Sequence, residues 1–136
     1  MMKKLSFVTL LAAVIQKVEE NTGLRCYDAV PKDTAPPYYQ AVFAGQLPEP
    51  NKTMLKERYQ IHIHAVADGT NGSVAIFDLI QKVDEAMTEH IELPEDYELI
   101  MQTPTGAQPP YLDEDGTMRS IIGYDLTIFY GYKMKI

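Results

Sequence analysis

The chain has 136 residues and a mass of 15.4 kDa, the usual length of one domain, so we expect residues 1–136 to form a single domain. With 46% hydrophobic and 23% charged residues it resembles an ordinary globular protein, which excludes a disordered or fibrous chain. The net charge of −7 argues against a general electrostatic surface for nucleic acid, and the single cysteine, Cys26, excludes an internal disulfide and a cysteine-based zinc site.

The first segment has two interpretations. Lys3 and Lys4 followed by an apolar run resemble a secretory signal, but no small-residue cleavage site precedes a polar segment. Apolar residues instead recur at spacings of three and four, and Gly23 is suited to end a helix. We therefore predict an amphipathic helix, not a cleaved signal, and no membrane span elsewhere. Its predicted apolar face consists of Leu5, Val8, Leu11, Ala12, Ile15 and Val18.

Three strands are predicted after this helix, over residues 24–30, 38–45 and 58–67. In the third, alternate residues are apolar, which indicates a half-buried strand. The apolar set is Tyr59, Ile61, Ile63 and Ala65. Residues 46–57 contain Pro48 and Pro50, and this composition predicts an exposed loop.

A second helix is predicted from Val74 to about Glu89, with the Ser73 hydroxyl capping its first turn. Its predicted apolar stripe is Ile76, Phe77, Ile80, Val83 and Met87. Residues 97–103 alternate as a strand with Tyr97, Leu99 and Met101 on one face, and residues 104–117 are predicted to be a second long loop. In the predicted last strand one face consists of Met118, Ser120, Ile122, Tyr124, Leu126, Ile128, Tyr130, Tyr132 and Met134.

The predicted order of elements is α-β-β-β-α-β-β. Strands that follow one another closely along the chain pair most simply as hairpins. We therefore predict an α+β fold, with a mostly antiparallel sheet of four to five strands and two helices packed on one face.

Few residues are arranged for chemistry. His62 and His64 lie on the same face of a strand, at a spacing that a metal ion can bridge, but nothing in the sequence places His90 beside them. The alternative is two polar residues on the solvent face of that strand. Cys26 is expected to be a buried small residue, and no phosphate-binding glycine loop or nucleophile elbow is present. We predict no cofactor, no metal and no enzymatic activity.

The acidic run Asp113, Glu114 and Asp115 precedes Gly116 too closely for a calcium loop, and no later glutamate follows, so we predict a tight acidic turn. The two predicted loops also contain apolar residues that a solvated loop does not need, which is typical of a docking surface for another protein chain. The alternative is that these residues fold back over the core. The predicted interface residues are Leu47, Met54, Leu55, Pro109, Pro110, Tyr111 and Leu112.

An ordered set of motifs along nearly the whole chain resembles the tail terminator, or tail completion, proteins of long-tailed bacteriophages and prophages. The set comprises the helix ending at Gly23, Val30-Pro31, Pro36-Pro37-Tyr38-Tyr39, the strand 59–65, Phe77-Asp78-Leu79-Ile80, Asp115-Gly116, Arg119 and Tyr124-Asp125-Leu126-Thr127-Ile128.

The resemblance implies a structural virion protein, assembled in the cytoplasm of a host bacterium. It implies a hexameric ring at the head-proximal end of the tail that caps the tail tube, ends tail polymerisation and docks to the head connector. DNA passes through such a ring without specific binding, and we expect Asp113, Glu114 and Asp115 to line the lumen as negative groups. The alternative functions are a small module that binds metal through His62 and His64, or one that binds peptides.

Overall fold

The computed structural model describes residues 3–49, 54–70 and 72–132. Within them the chain forms two helices and six strands. In chain order these are α1 (Phe7–Thr22), β1 (Cys26–Tyr27), β2 (Tyr38–Glu49), β3 (Met54–Asp68), α2 (Val74–Ala86), β4 (Glu98–Ala107), β5 (Tyr111–Leu112) and β6 (Thr117–Tyr132).

The sheet has the strand order β1-β2-β3-β6-β4, and β5 pairs with β6 beyond the end of β4. The α+β prediction is confirmed, but the predicted strand number is wrong because the short strand β5 lies inside the segment predicted as a loop. The sheet is also mixed, since β1 and β2 run parallel, with Cys26 opposite Tyr39. The connection between them returns the chain to the same end of the sheet, so these two strands do not form a hairpin.

Residues 46–57 do not form the predicted loop. Residues 46–49 extend β2 and residues 54–57 extend β3 as a paired hairpin, in which Leu47 lies opposite Arg58 and Pro48 opposite Glu57; residues 50–53 lie outside the described part of the chain. Pro48 is tolerated because, among the described residues, β2 has a neighbouring strand on only one side at this position. The missing N–H of Pro48 therefore removes no hydrogen bond to a second neighbouring strand. β4 likewise continues through Pro104 to Ala107, which shortens the predicted loop at residues 104–117.

The core lies on one face of the sheet, beneath both helices. The alternation predicted for the third strand is confirmed, since Tyr59, Ile61, Ile63 and Ala65 are fully buried. The alternation predicted for the last strand is confirmed for the buried residues Ser120, Ile122, Tyr124, Leu126, Ile128 and Tyr130. The side chains of Tyr132 and Met134 lie outside the described residues.

The helix boundary at Gly23 is confirmed, because this glycine has φ of 73° and donates its N–H to Glu19 O at 3.0 Å. The predicted apolar face of α1 is partly wrong. Leu5 is buried as predicted, but it precedes the helix and does not share its period, so the buried stripe of α1 itself is Leu10, Val14 and Val18 with Ala13 and Lys17. Val8 and Ala12, assigned to the core, are exposed.

In α2 the buried stripe is Ile76, Leu79, Val83 and Ala86, with Met87 buried just after the helix. Phe77 is 55% exposed, so its assignment to the core is wrong. Ser73 does precede the helix, but its side chain makes no capping hydrogen bond. In β4 the register shifts between Leu99 and Met101, which rotates Met101 away from the core and leaves it 55% exposed.

Candidate assembly surfaces

One exposed apolar surface lies where β3 ends and β5 passes beside it. Tyr111 is 47% and Leu112 62% exposed, while Pro109 is exposed and Pro110 half-buried. Gly69, directly after β3, donates its N–H to Gly116 O at 3.2 Å, and a Cβ on Gly69 would lie 2.7 Å from Leu112 Cδ1. We call residues 109–112 the β5 surface.

The acidic turn adjoins the β5 surface, and two of its three carboxylates have partners. Arg119 pairs with Asp113 at 2.8 Å and with Asp115 at 3.7 Å. Asp115 also accepts hydrogen bonds from the hydroxyl and N–H of Thr117, which lower its pKa. Glu114 is exposed, and its carboxylate makes no hydrogen bond or ion pair among the described residues. The predicted tight turn is present. Of its three carboxylates, Glu114 is the one without an ion pair among the described residues.

A second group of predicted interface residues lies on the hairpin of β2 and β3. Leu47 is 42% exposed, whereas Leu55 is half-buried against the core; the side chain of Met54 lies outside the described residues. Arg58, opposite Leu47, pairs with Glu49 at 3.3 Å and lies 3.9 Å from Asp125. We call Leu47, Glu49, Leu55 and Arg58 the hairpin surface.

The structure does not bring the two groups together. Leu112 lies opposite Met118, which lies opposite Ala67, whereas Leu47 lies opposite Arg58. Along β3, at about 3.3 Å per residue, the β5 surface and the hairpin surface are therefore about 30 Å apart. The seven predicted interface residues thus belong to opposite ends of the sheet.

His62 and His64 lie side by side on the face of the sheet opposite the helices, which we call the outer face, and both are half-buried. Burial lowers the pKa of His64, and His62 and Arg119 add to this effect. Across the described residues no three His, Cys, Asp or Glu side chains are grouped to hold a metal ion. His90 is exposed in the connection after α2.

Cys26 is 4% exposed, as the sequence predicts for a buried small residue. Burial raises the pKa of its thiol to about 12, with a further contribution from Glu19. A thiol with this pKa stays protonated near neutral pH and is a poor nucleophile.

Two surfaces were not predicted from the sequence. The first is a cleft of about 530 Å³ between α2 and β4, lined by Asp84, Met87, Thr88, Gln102, Pro104 and Tyr124. In it the Tyr124 hydroxyl donates to Asp84 at 2.6 Å. The second is the outer face itself, where Gln60, His62, Thr105 and Asp125 border a recess of about 190 Å³. Neither α1 nor α2 is long and apolar enough to cross a membrane.

The chain is similar to known proteins of one family. The model of the family Phage_tail_terminator_4, described as "Putative tail termination protein", matches residues 1–136. No curated protein matches the chain. Among solved structures, one chain of the "Virion of native gene transfer agent (GTA) particle" superposes with a TM-score of 0.74 at 18% identity. The match covers 91% of this chain and 99% of that one. At this identity the likeness shows a shared fold.

The family match extends over the whole sequence and agrees with the ordered motifs from the first helix to the last strand. The protein therefore belongs to the phage tail terminator family, a family of structural tail proteins.

Proposed function

We propose that the protein forms a hexameric ring at the head-proximal end of a phage tail, caps the tail tube, stops its growth and then docks to the head connector. The family match over residues 1–136 is the observation that carries this proposal. The protein then acts as a single domain, by binding alone and without catalysis. It is part of a virion that assembles in the cytoplasm of the host bacterium.

The two exposed apolar surfaces support a cap with two partners. A ring between tube and connector needs a contact on each side, and the β5 surface and the hairpin surface lie about 30 Å apart along β3. Six copies repeat each contact around the axis, so modest single contacts combine into strong binding. We assign one surface to the tube protein and the other to the connector protein.

The acidic turn has a separate proposed role. DNA passing through the ring would be repelled by negative groups on the lumen wall, and Asp113, Glu114 and Asp115 are our candidates. Glu114→Gln tests this without disturbing the turn, because Asp113 and Asp115 are tied to Arg119 whereas Glu114 is exposed. Particles with Glu114→Gln should eject DNA more slowly; unchanged packaging and ejection would remove the lumen role of Glu114.

The function is tested in the phage or prophage that encodes the chain. Without the protein, tails should grow beyond their normal length and carry no heads in electron micrographs, and the wild-type chain supplied in trans should restore both. Native mass spectrometry of the purified protein and of tail tips reports the number of copies. Tails of normal length that join heads without the protein would contradict the proposal.

The β5 surface is tested by Tyr111→Ser/Leu112→Ser. We expect folded protein with fewer completed particles, because the change removes exposed apolar area that a partner buries. Val8→Ser is the matched control, since Val8 is 79% exposed on α1 and is not part of the β5 surface. Equal particle yields for the two variants would exclude the β5 surface as a docking site.

A further inference from the structure

Two long strands of the sheet, β2 and β4, have an open edge. β4 pairs with β6 along one side and has no neighbouring strand on the other among the described residues. β2 pairs with β3 along its length, while β1 covers only Tyr39 and Gln40 on its other side. Residues 42–49 and β4 (Glu98–Ala107) therefore each present one row of backbone N–H and C=O groups that has no strand partner within the part of the chain that the structure describes.

These edges are long and partly apolar, which is unusual for a protein that stays single in solution. Ile100 and Met101 on β4 are 39% and 55% exposed. An open edge of this kind is a template for pairing with another chain. Pro48, Pro104 and the register shifts in both strands interrupt these edges and oppose indiscriminate association, so a partner can pair only with the stretches between the interruptions.

The strand directions make the two edges complementary. β2, β3, β6 and β4 are successive antiparallel neighbours, so β2 and β4 run in opposite directions. A second copy that is related to the first by rotation about a ring axis has the same strand directions relative to that axis. Its β2 edge then meets β4 of the first copy in antiparallel fashion, and the alternation of the sheet continues across the contact.

We propose that β4 of one protomer pairs with residues 42–46 of a second copy of this chain, the stretch of β2 that precedes the hairpin surface, so that the sheet continues from protomer to protomer. This inference rests on the proposed ring. The contact joins two different surfaces of the protomer. Repeated contacts of this kind close into a ring when the rotation between neighbouring protomers divides a full turn evenly. Closure of the ring leaves neither β4 nor this stretch of β2 open, which explains why both edges are long.

Hydrogen exchange of the wild-type protein tests the pairing. In an antiparallel ladder alternate amides point outward, so about half of the amides in each edge should exchange at least about tenfold more slowly in the assembled ring than in the free protomer. The amides of β3 have strand neighbours on both sides already and serve as the internal control. A ring in which neither edge gains protection would overturn the inference.

Cysteine pairs give a positive test of the same contact. Val42 and Ala44 on β2 are combined with Met101 or Thr103 on β4, four pairs that allow for the register, while the buried Cys26 stays in place. Mild oxidation of assembled protein should link at least one pair into a covalent ladder of protomers. Thr103→Cys alone is the control, because with Cys26 buried it offers no second accessible cysteine and should not form a ladder.

The outcomes separate the inference from the proposed function. If rings form and tails end normally but no pair links and no edge is protected, the pairing is wrong and the function stands. If no ring forms and tails end normally without the protein, the function fails and the inference with it. If only one edge becomes protected, and only when tail tubes are added, the strand partner is the tube protein and the pairing between copies is wrong.

Discussion

His64 is the residue whose ionisation should affect stability near neutral pH. Its folded-state pKa is lowered from 6.5 because burial, His62 and Arg119 all disfavour the imidazolium. The unfolded chain therefore takes up a proton at a higher pH than the folded chain, so stability is lost as pH falls below about 6.5. We expect His64→Gln to reduce this loss, as measured by urea unfolding between about pH 5 and pH 7.5.

The matched control for His64 is His90→Gln, because His90 is exposed in the connection after α2 and is distant from the outer face of the sheet. This variant should retain the wild-type slope of unfolding free energy against pH. If His64→Gln and His90→Gln give the same slope as the wild type, the ionisation of His64 is not linked to folding.

At the scale of elements, one side chain of β4 holds the end of α2. Gln102 Nε2 donates to Met87 O and Glu89 O, both at 2.7 Å, and Gln102 Oε1 accepts from Ile91 N–H at 3.0 Å. We expect Gln102→Ala to lower the free energy of unfolding by about 1–3 kcal/mol, because it leaves partly buried backbone groups without partners.

Urea unfolding measures this loss, and hydrogen exchange should show faster opening of residues 87–93 in Gln102→Ala. Gln81→Ala is the control, since the Gln81 amide bonds only to Glu85 on the exposed side of α2. Its effect should stay within about 0.5 kcal/mol. Equal losses in the two variants would show that the Gln102 hydrogen bonds do not stabilise the connection.

The end of α1 depends on the conformation of Gly23. Its φ of 73° lies in the left-handed region, and nothing lies within 4 Å of where a Cβ would be placed, so a substitution there meets backbone strain without a clash. Gly23→Ala should therefore cost about 1–2 kcal/mol, and Gly23→Asn less, because asparagine tolerates this region better. Thermal unfolding followed by circular dichroism measures both, and an equal or larger loss for Gly23→Asn would contradict this account.

At the scale of the whole molecule, charge should oppose assembly. Each protomer carries −7, so neighbouring copies in the proposed ring repel each other, and salt screens that repulsion. We expect the fraction of assembled protein to rise between about 50 and 500 mM NaCl at fixed protein concentration, as measured by analytical ultracentrifugation. A ring that dissociates as salt is added would show instead that ion pairs between protomers dominate the contact.

The strands with strict alternation could be read from the sequence. Tyr59 to Ala65 and Ser120 to Tyr130 are buried at alternate positions because a strand presents successive side chains to opposite faces. The sequence predicts the wrong phase for α1 because Leu5, although buried, precedes the helix. It predicts loops at Pro48 and Pro104, which lie in strands, because whether a strand tolerates proline depends on its neighbours in the sheet.

The candidate surfaces were predicted only in part. Tyr111 and Leu112 were identified because apolar residues in a segment rich in turn residues are conspicuous, and both are exposed. Leu55 was assigned to the same interface, yet it packs against the core, because the hairpin directs alternate side chains inward. No local signal indicated the open edges of β2 and β4, which depend on which strands lie beside them.

The sequence alone determined the family, the α+β class, both helices and the alternation of β3 and β6, because periodicity and ordered motifs are properties of short segments. The tertiary structure decided the parallel pairing of β1 with β2, the long hairpin and the position of β4 at the edge. These features follow from contacts between residues far apart in the chain, where the free energy of packing selects among pairings that local sequence leaves open.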